Sequence, residues 1–343
     1  MSSATSSPSK FSHLLPPSAF THLVSQWLHE DAPRHDVGGF VVGDELQTAS
    51  LFCKASGVLA GVPFAEAVMK EAGLTCEWLI PEGEYIEINS GDKKKRVLVA
   101  RVSGPCRNLL LAERTLLNVL ARASGVATQA SRAVSIARSY NWDGCVAGTR
   151  KTTPGFGMVE KYALIVGGVD THRMDLSHMV MLKDNHIWSV GSISQAVLKA
   201  KSVAGFSTKI EVECQSVEEA IEAAEAGADI VMLDNFAGES LGSAAEQVKA
   251  QFPNVLIEAS GGITEETMHE YMFPCVDIIS RGSLTQGYPT IDFSLKIDQK
   301  QPVVAPSEPK EDLLLPSLSQ DEELGNSASD PRKRDSVDGF PLY

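Results

Sequence analysis

The chain has little with which to build a covalent scaffold, a membrane anchor or a triphosphate-binding loop. Its 343 residues include six cysteines, Cys53, Cys76, Cys106, Cys145, Cys214 and Cys275, scattered with no CxxC pair. That argues against a disulfide framework and a cysteine-rich zinc site, and for thiols kept in a reducing compartment. No apolar run approaches the roughly 20 residues of a spanning helix. There is no Walker A loop and no GxGxxG, which removes the NTPase and dinucleotide readings, and no HxH or HExxH spacing for zinc. Positive charge is scarce: 30 Lys and Arg against 44 Asp and Glu give a net charge of −14, the wrong sign for a face that holds nucleic acid. Residues 1–10 contain no arginine and no apolar stretch, so no secretory or transit leader is expected. The expectation is a cytoplasmic chain that binds neither nucleic acid nor membrane.

What the chain does have is six short apolar runs, each ending in a residue able to handle an anion. They are residues 145–151 (CVAGTRK), 179–183 (MVMLK), 209–213 (KIEVE), 229–234 (DIVMLD), 255–262 (VLIEASGG) and 276–282 (VDIISRG). Helix-patterned stretches lie between most of them, which means βα units and a parallel sheet. In a βα barrel the site lies at the C-terminal ends of the strands, where these residues fall.

Ahead of the repeat the pattern predicts a helix over 18–30, a strand over 48–60 and a helix from Pro63 to 72. Strands follow over 74–80, 84–89 and 96–103, with a hairpin-type turn at 89–95. A helix over 107–123 is followed by a second running to about 140. Within the repeat, helices are expected over 191–203, 216–226, 240–251 and 264–272; the second has a Ser216 start and a Gly227 stop. The fold class is therefore α/β, with a disordered leader at 1–12 and the βα alternation beginning at Cys145. From 301 onward nine acids face four bases and six of the 17 prolines occur. Such a segment buries too little apolar surface to order itself, so 298–343 reads as a solvated tail.

Residues 149–155 (TRKTTPG) place two cations and three hydroxyls at a strand-to-loop transition. Thr149 offers a hydroxyl for phosphate oxygens, Arg150 a planar fork and Lys151 a mobile point charge. His172, Arg173 and Lys183 add donors one βα step later, whereas His186 reads as a packed or hydrogen-bonded histidine. Glu213 and Asp234 each close a strand. Carboxylates so placed hold Mg²⁺ together with substrate phosphates rather than in an all-protein cage; they also balance the cation cluster, and both roles stay open. Ser260, Gly261 and Gly262 form a glycine turn late in the repeat, where barrels seat a phosphate on backbone amides, and Gly282 follows the next strand. A rival enzyme reading is a decarboxylase or aldolase forming a Schiff base at Lys183 or Lys151. A non-enzyme reading is an interaction scaffold, which would have no use for this set of charges.

Several of these segments carry a resemblance. Residues 111–118 (LAERTLLN), 148–155 (GTRKTTPG), 160–168 (EKYALIVGG), 172–173 (HR), 182–186 (LKDNH), 211–213 (EVE), 233–235 (LDN) and 258–263 (EASGGI) resemble the quinolinate phosphoribosyltransferases over about residues 12–297. The resemblance implies an N-terminal mixed α/β sandwich domain at 13–125, its last helices running on to about 140, joined to an incomplete TIM-like βα-barrel domain at 126–297. It implies transfer of phosphoribosyl from phosphoribosyl pyrophosphate to quinolinate, giving nicotinate mononucleotide, pyrophosphate and CO₂ in de novo NAD biosynthesis, with Mg²⁺. By position, Arg114, Thr149, Arg150, Lys151, His172, Arg173 and Lys183 would bind substrate. Lys151, Lys183, Glu213 and Asp234 would be the catalytic set. Glu213 and Asp234 would lie near ribose and metal, in contact directly or through water, and Ser260, Gly261, Gly262 and Gly282 would cradle the 5′-phosphate. It also implies homodimers with shared sites, assembled into hexamers, in which Arg114 reaches a partner's site. A rival within the same chemistry is non-carboxylating transfer to nicotinate.

Overall fold

Two sheets and one long helix position everything that matters for function. The computed structural model describes residues 10–88 and 95–299; nearly all of the expected hairpin turn, most of the leader and the tail beyond 299 lie outside the described residues. The chain begins with α1 (Pro17–Asp31), α2 (Val37–Val42), β1 (Leu46–Cys53), β2 (Gly57–Val58), α3 (Val62–Glu71), β3 (Thr75–Trp78), β4 (Tyr85–Ile86) and β5 (Val97–Pro105). It continues through α4 (Cys106–Ser139) into a repeat of β6 (Cys145–Ala147), α5 (Gly157–Val166), β7 (Val180–Leu182), α6 (Asp184–Val190), α7 (Ile193–Ala204), β8 (Ile210–Cys214), α8 (Val217–Ala226), β9 (Ile230–Asp234), α9 (Gly238–Gln251), β10 (Leu256–Ser260) and β11 (Ile278–Ser280). A last strand, β12 (Phe293–Ile297), follows.

The first sheet is antiparallel, in the order β12-β1-β5-β3. The second is parallel, in the order β6-β11-β10-β9-β8-β7. Its edge strands β6 and β7 do not pair with each other, so the barrel is incomplete; an isolated bridge from Ala147 to Asp170 extends the β6 edge. The caps follow the sequence: Ser216 accepts from the Glu219 amide at the start of α8, and Gly227 ends that helix in the left-handed region. No helix among the described residues is long and apolar enough to cross a membrane, and all six cysteines are free thiols.

The sequence expectations omit α2, α5 and α6, and four further departures bear on the architecture. The helices expected to meet near 123 are one continuous helix of 34 residues. Gly125 does not break it. A Cβ there would lie 2.0 Å from the Pro289 carbonyl oxygen, so the glycine is used for close approach of another backbone segment. Leu109, Leu116 and Leu120 of α4 bury in the core that includes the first sheet, and Val126, Ala127, Ala130 and Ala133 in the core that includes α5 and the second. Each fully buried leucine contributes about 1.5–3 kcal/mol.

The strand expected over 48–60 stops at Cys53 and resumes only as β2. The helix expected over 264–272 is a single 3-10 turn, Met268–Tyr271. Thr264 and Thr267 hydrogen-bond each other's amides through their hydroxyls, offering the backbone an alternative to a helix. Finally, residues 293–297, placed in the barrel domain on sequence, return to the first sheet beside β1. Phe293 and Leu295 bury in its core, and Ser50 donates to Asp298 at 2.7 Å.

Candidate active site

The C-terminal ends of the parallel strands open onto one cavity of about 550 Å³. Side chains two apart on a strand share a face, and the walls form two rows on that rule. Met181, Met232, Glu258 and Ser280 line the floor, with Glu211 on the same face of β8, fully buried. Two residues further on come Lys183, Glu213, Asp234, Ser260 and Gly282 at the rim, and Thr149, Arg150, Lys151, His172 and Arg173 enter from the loops after β6 and before β7. Gly261 and Gly262 complete the lining. Every residue assigned to substrate, metal or catalysis on sequence therefore lines one cavity except Arg114. That side chain lies in a separate cleft with Trp27, Asp31, Asn118 and Tyr288.

Local contacts fix these groups. Lys183 forms an ion pair with Glu213, and its own amide donates to His186 Nδ1 at 3.1 Å, so His186 holds the turn into α6 as expected. Gly261 has φ +104°, and a Cβ there would lie 2.4 Å from Asn235 Oδ1; only glycine closes this turn without a clash. At Gly282 a Cβ would meet Lys151 Cδ at 2.9 Å, because Lys151 leans across from the neighbouring strand. Thr153 donates from its amide and its hydroxyl to Glu160, both at 2.8 Å, which anchors the loop bearing Arg150 and Lys151.

Residues 36–124 match the family described as quinolinate phosphoribosyl transferase, N-terminal domain, and residues 126–296 match its C-terminal domain. The chain belongs to the quinolinate phosphoribosyl transferase family. It is 49% identical over 300 residues to the carboxylating nicotinate-nucleotide pyrophosphorylase of Dictyostelium discoideum, covering 85% of this chain and all of that one. Identity to the Homo sapiens protein of the same name is 49% over 296 residues, covering 85% of this chain and 96% of that one. Among solved structures, the nicotinate-nucleotide pyrophosphorylase from Francisella tularensis superposes with a TM-score of 0.75 at 32% identity, covering 83% of this chain and 98% of that one.

In this quinolinate phosphoribosyl transferase chain the structure adds groups that the sequence reading missed. His172 sits at φ +56°. Its Nδ1 accepts from the Arg173 amide at 2.8 Å, and its Nε2 lies 3.0 Å from Glu258. An Nδ1 that accepts leaves the proton on Nε2, so the ring donates to Glu258. Glu211 joins this group, with ligand-capable atoms of the three residues within 4.8 Å of one another; the tautomer makes His172 a hydrogen-bond donor there, not a metal ligand. Burial first, and Glu258 second, push the Glu211 carboxyl up to about 9, against the pull of Arg173. Lys161 is buried and donates to the Thr171 and Arg173 carbonyls, tying down the loop that presents His172 and Arg173. Burial lowers its ammonium to about 8; Asp170 opposes the shift, and Arg150 and Arg173 add to it. Burial and Arg150 likewise hold the Arg173 guanidinium below its usual range. The missed signal was alternation: Glu211 and Glu258 lie two residues before Glu213 and Ser260, on the same face.

Proposed function

We propose that this chain transfers phosphoribosyl from phosphoribosyl pyrophosphate to quinolinate and releases pyrophosphate and CO₂, leaving nicotinate mononucleotide. As a member of its family it is a phosphoribosyltransferase, and the reaction is a step of de novo NAD biosynthesis. The observation that carries this reading is the single cavity in which Arg150, Lys151, Arg173 and Lys183 face a glycine turn across Glu213 and Asp234. Two ring carboxylates and a leaving pyrophosphate need several cations, and a sugar phosphate needs backbone amides.

Breaking the ribose–pyrophosphate bond develops positive charge on the sugar and negative charge on the leaving oxygen. Lys151 and the arginines stabilise the second, and the carboxylates of Glu213 and Asp234 stabilise the first. Bond formation to ribose makes the ring nitrogen cationic. The electron pair left when the adjacent carboxylate departs as CO₂ is then held next to that charge, and the ring carbon takes up a proton. Transfer before decarboxylation is the order this chemistry favours.

Glu213 is paired with Lys183, and Asp234 accepts from Asn235 Nδ2 at 2.6 Å. One oxygen of each carboxylate is thus engaged by protein. That donor set suits Mg²⁺: Glu213 and Asp234 would hold it, and it would supply charge neutralisation on the pyrophosphate. The deciding assay is release of CO₂ and pyrophosphate from quinolinate, phosphoribosyl pyrophosphate and Mg²⁺. Chelation should abolish turnover, and nicotinate should replace quinolinate poorly; full activity in excess chelator, or faster use of nicotinate, refutes the reading.

Charge-assisted hydrogen bonds to a bound anion are worth about 1.5–3 kcal/mol each. Lys151→Ala and Arg173→Ala should therefore each lower kcat/KM by roughly tenfold to a few hundredfold, with a melting temperature close to that of the parent. Wild-type kinetics from either variant would remove that residue from the site.

The proposal extends to a cytoplasmic homodimer with shared sites that assembles into a hexamer. Arg114 is absent from the cavity of its own chain, and α2 exposes Val37, Phe40 and Val41, at 73%, 88% and 77%. An apolar stripe of that size is ordinarily covered by a partner surface.

A further inference from the structure

The cations of the cavity are distributed unevenly. Arg150, Lys151, Arg173 and Lys183 come from the β6 and β7 side, while the lining residues at the ends of β9, β10 and β11 include Asp234, Glu258, the glycine turn and a single cation, Arg281. A phosphate monoester seated on that turn would face two carboxylates, with its charge met by backbone dipoles and by Lys151, whose Nζ lies 3.5 Å from where a Gly282 Cβ would be. Arg281 is the one cation that the ends of β9, β10 and β11 themselves supply to the lining. Only 4% of it is exposed, and it forms no ion pair among the described residues. Its Nε is buried with no hydrogen-bond partner. Nη1 has only the thioether of Met268, at 3.6 Å, and Nη2 donates to Ser283 Oγ at 3.2 Å. A guanidinium has five donors, and leaving buried ones unpaired is costly. Burial depresses this guanidinium below its usual range, with Glu265 and Glu266 pulling the other way from the next loop.

The backbone shows why the side chain is where it is. The Arg281 amide donates to the Ala147 carbonyl at 2.9 Å, so the residue continues β11 alongside β6, directly before Gly282. Ser283, which accepts from the guanidinium, itself lines the cavity. A hydroxyl that accepts from a cation is a stronger donor through its own hydrogen. The line Arg281–Ser283 thus brings a buried charge to the cavity wall.

We infer that Arg281, acting through Ser283, is a second charge partner, beside Lys151, of a phosphate monoester held on the Ser260–Gly262 and Gly282 turns. This rests on the reading of the cavity as a phosphoribosyl site. Arg281 is a positioning residue: it fixes the phosphate end of the donor and takes no part in bond making at the anomeric carbon.

The test is titration of ribose 5-phosphate, with pyrophosphate as control, into the wild-type protein, Arg281→Met and Arg281→Lys. Arg281→Met should bind ribose 5-phosphate at least tenfold more weakly while pyrophosphate affinity changes less than twofold. In turnover, KM for phosphoribosyl pyrophosphate should rise at least tenfold, with KM for quinolinate and kcat changed less than threefold. Arg281→Lys keeps the charge but loses the planar fork, so it should fall three- to tenfold below wild type, between the two. Unchanged affinity for ribose 5-phosphate in a folded Arg281→Met overturns the inference. Should that variant not fold, unchanged affinity in Arg281→Lys does so. A wild-type protein whose ribose 5-phosphate binding depends on Arg281, yet which releases no CO₂ from quinolinate, would leave this inference standing and refute the proposed reaction. The reverse pattern would refute the inference alone.

Discussion

Replacing Arg122 with methionine is expected to lower folding stability by about 3–5 kcal/mol, the range for breaking a buried ion pair from one side. Arg122 and Glu160 have side chains 1% and 0% exposed and pair at 2.7 Å. Nη2 also donates to the Thr285 carbonyl at 2.6 Å, and Nη1 reaches the Pro289 carbonyl at 3.4 Å. The guanidinium lies 4.9 Å from the Tyr288 ring centroid. One side chain thus joins α4, α5 and the segment leading back to β12. Methionine fills much of the volume but leaves the Glu160 carboxylate buried without its cation. Urea unfolding should show the loss as a lower midpoint. The double variant Arg122→Met/Glu160→Gln should recover part of it, since the orphaned charge is then gone. Glu160 also holds Thr153, so the single variant should raise KM as well. An unchanged midpoint would mean the pair contributes nothing to the fold.

The rim of the site was legible because the rule that places it is short-range. An apolar run followed by a polar residue marks a strand end, and six such ends in a βα repeat must converge. Thr149 to Lys151, Lys183, Glu213, Asp234, Ser260 and Gly282 follow from that rule, and all line one cavity. The floor was not legible in the same way. Glu211 and Glu258 sit inside strands, and a carboxylate between two apolar residues looks like ordinary solvent-facing alternation until the sheet curves and that face becomes interior. Arg281 was hidden for a related reason: it ends a run already assigned to Gly282, and its burial depends on Met268 from a distant turn.

The fold followed the same division. Helix caps such as Ser216 and Gly227 are local chemistry and fell where expected. The return of β12 to β1 pairs residues 240 to 248 positions apart and leaves no trace in either strand's own pattern. Glycine in a helix normally weakens it by about 1 kcal/mol, and Gly125 sits where the two expected helices would meet. Here the approach of the Pro289 backbone, a long-range fact, decides the matter, and α4 runs unbroken from one sheet to the other.

Mixing inactive Arg114→Ala subunits with inactive Lys183→Ala subunits is expected to restore up to about a quarter of wild-type activity, on the symmetry of an isologous dimer. Arg114 lies in a cleft of its own with Trp27 and Asn118, while Lys183 lies in the cavity. If a site draws Lys183 from one subunit and Arg114 from its partner, a mixed dimer places both substitutions in one site and neither in the other. Random exchange makes half of the dimers mixed, and half of the sites in those are intact. If each site is built from one subunit, every site carries a defect and mixing restores nothing. Subunit exchange can be followed independently, by mass or by a fluorescent label on each variant. Exchange without recovery would overturn the shared site, and recovery would assign Arg114 to the substrate of the neighbouring subunit. The apolar face of α2 gives a second handle. Phe40, 88% exposed, is on the covering surface if the dimer forms there, so Phe40→Asp should shift the protein toward monomer and abolish recovery while leaving each subunit folded.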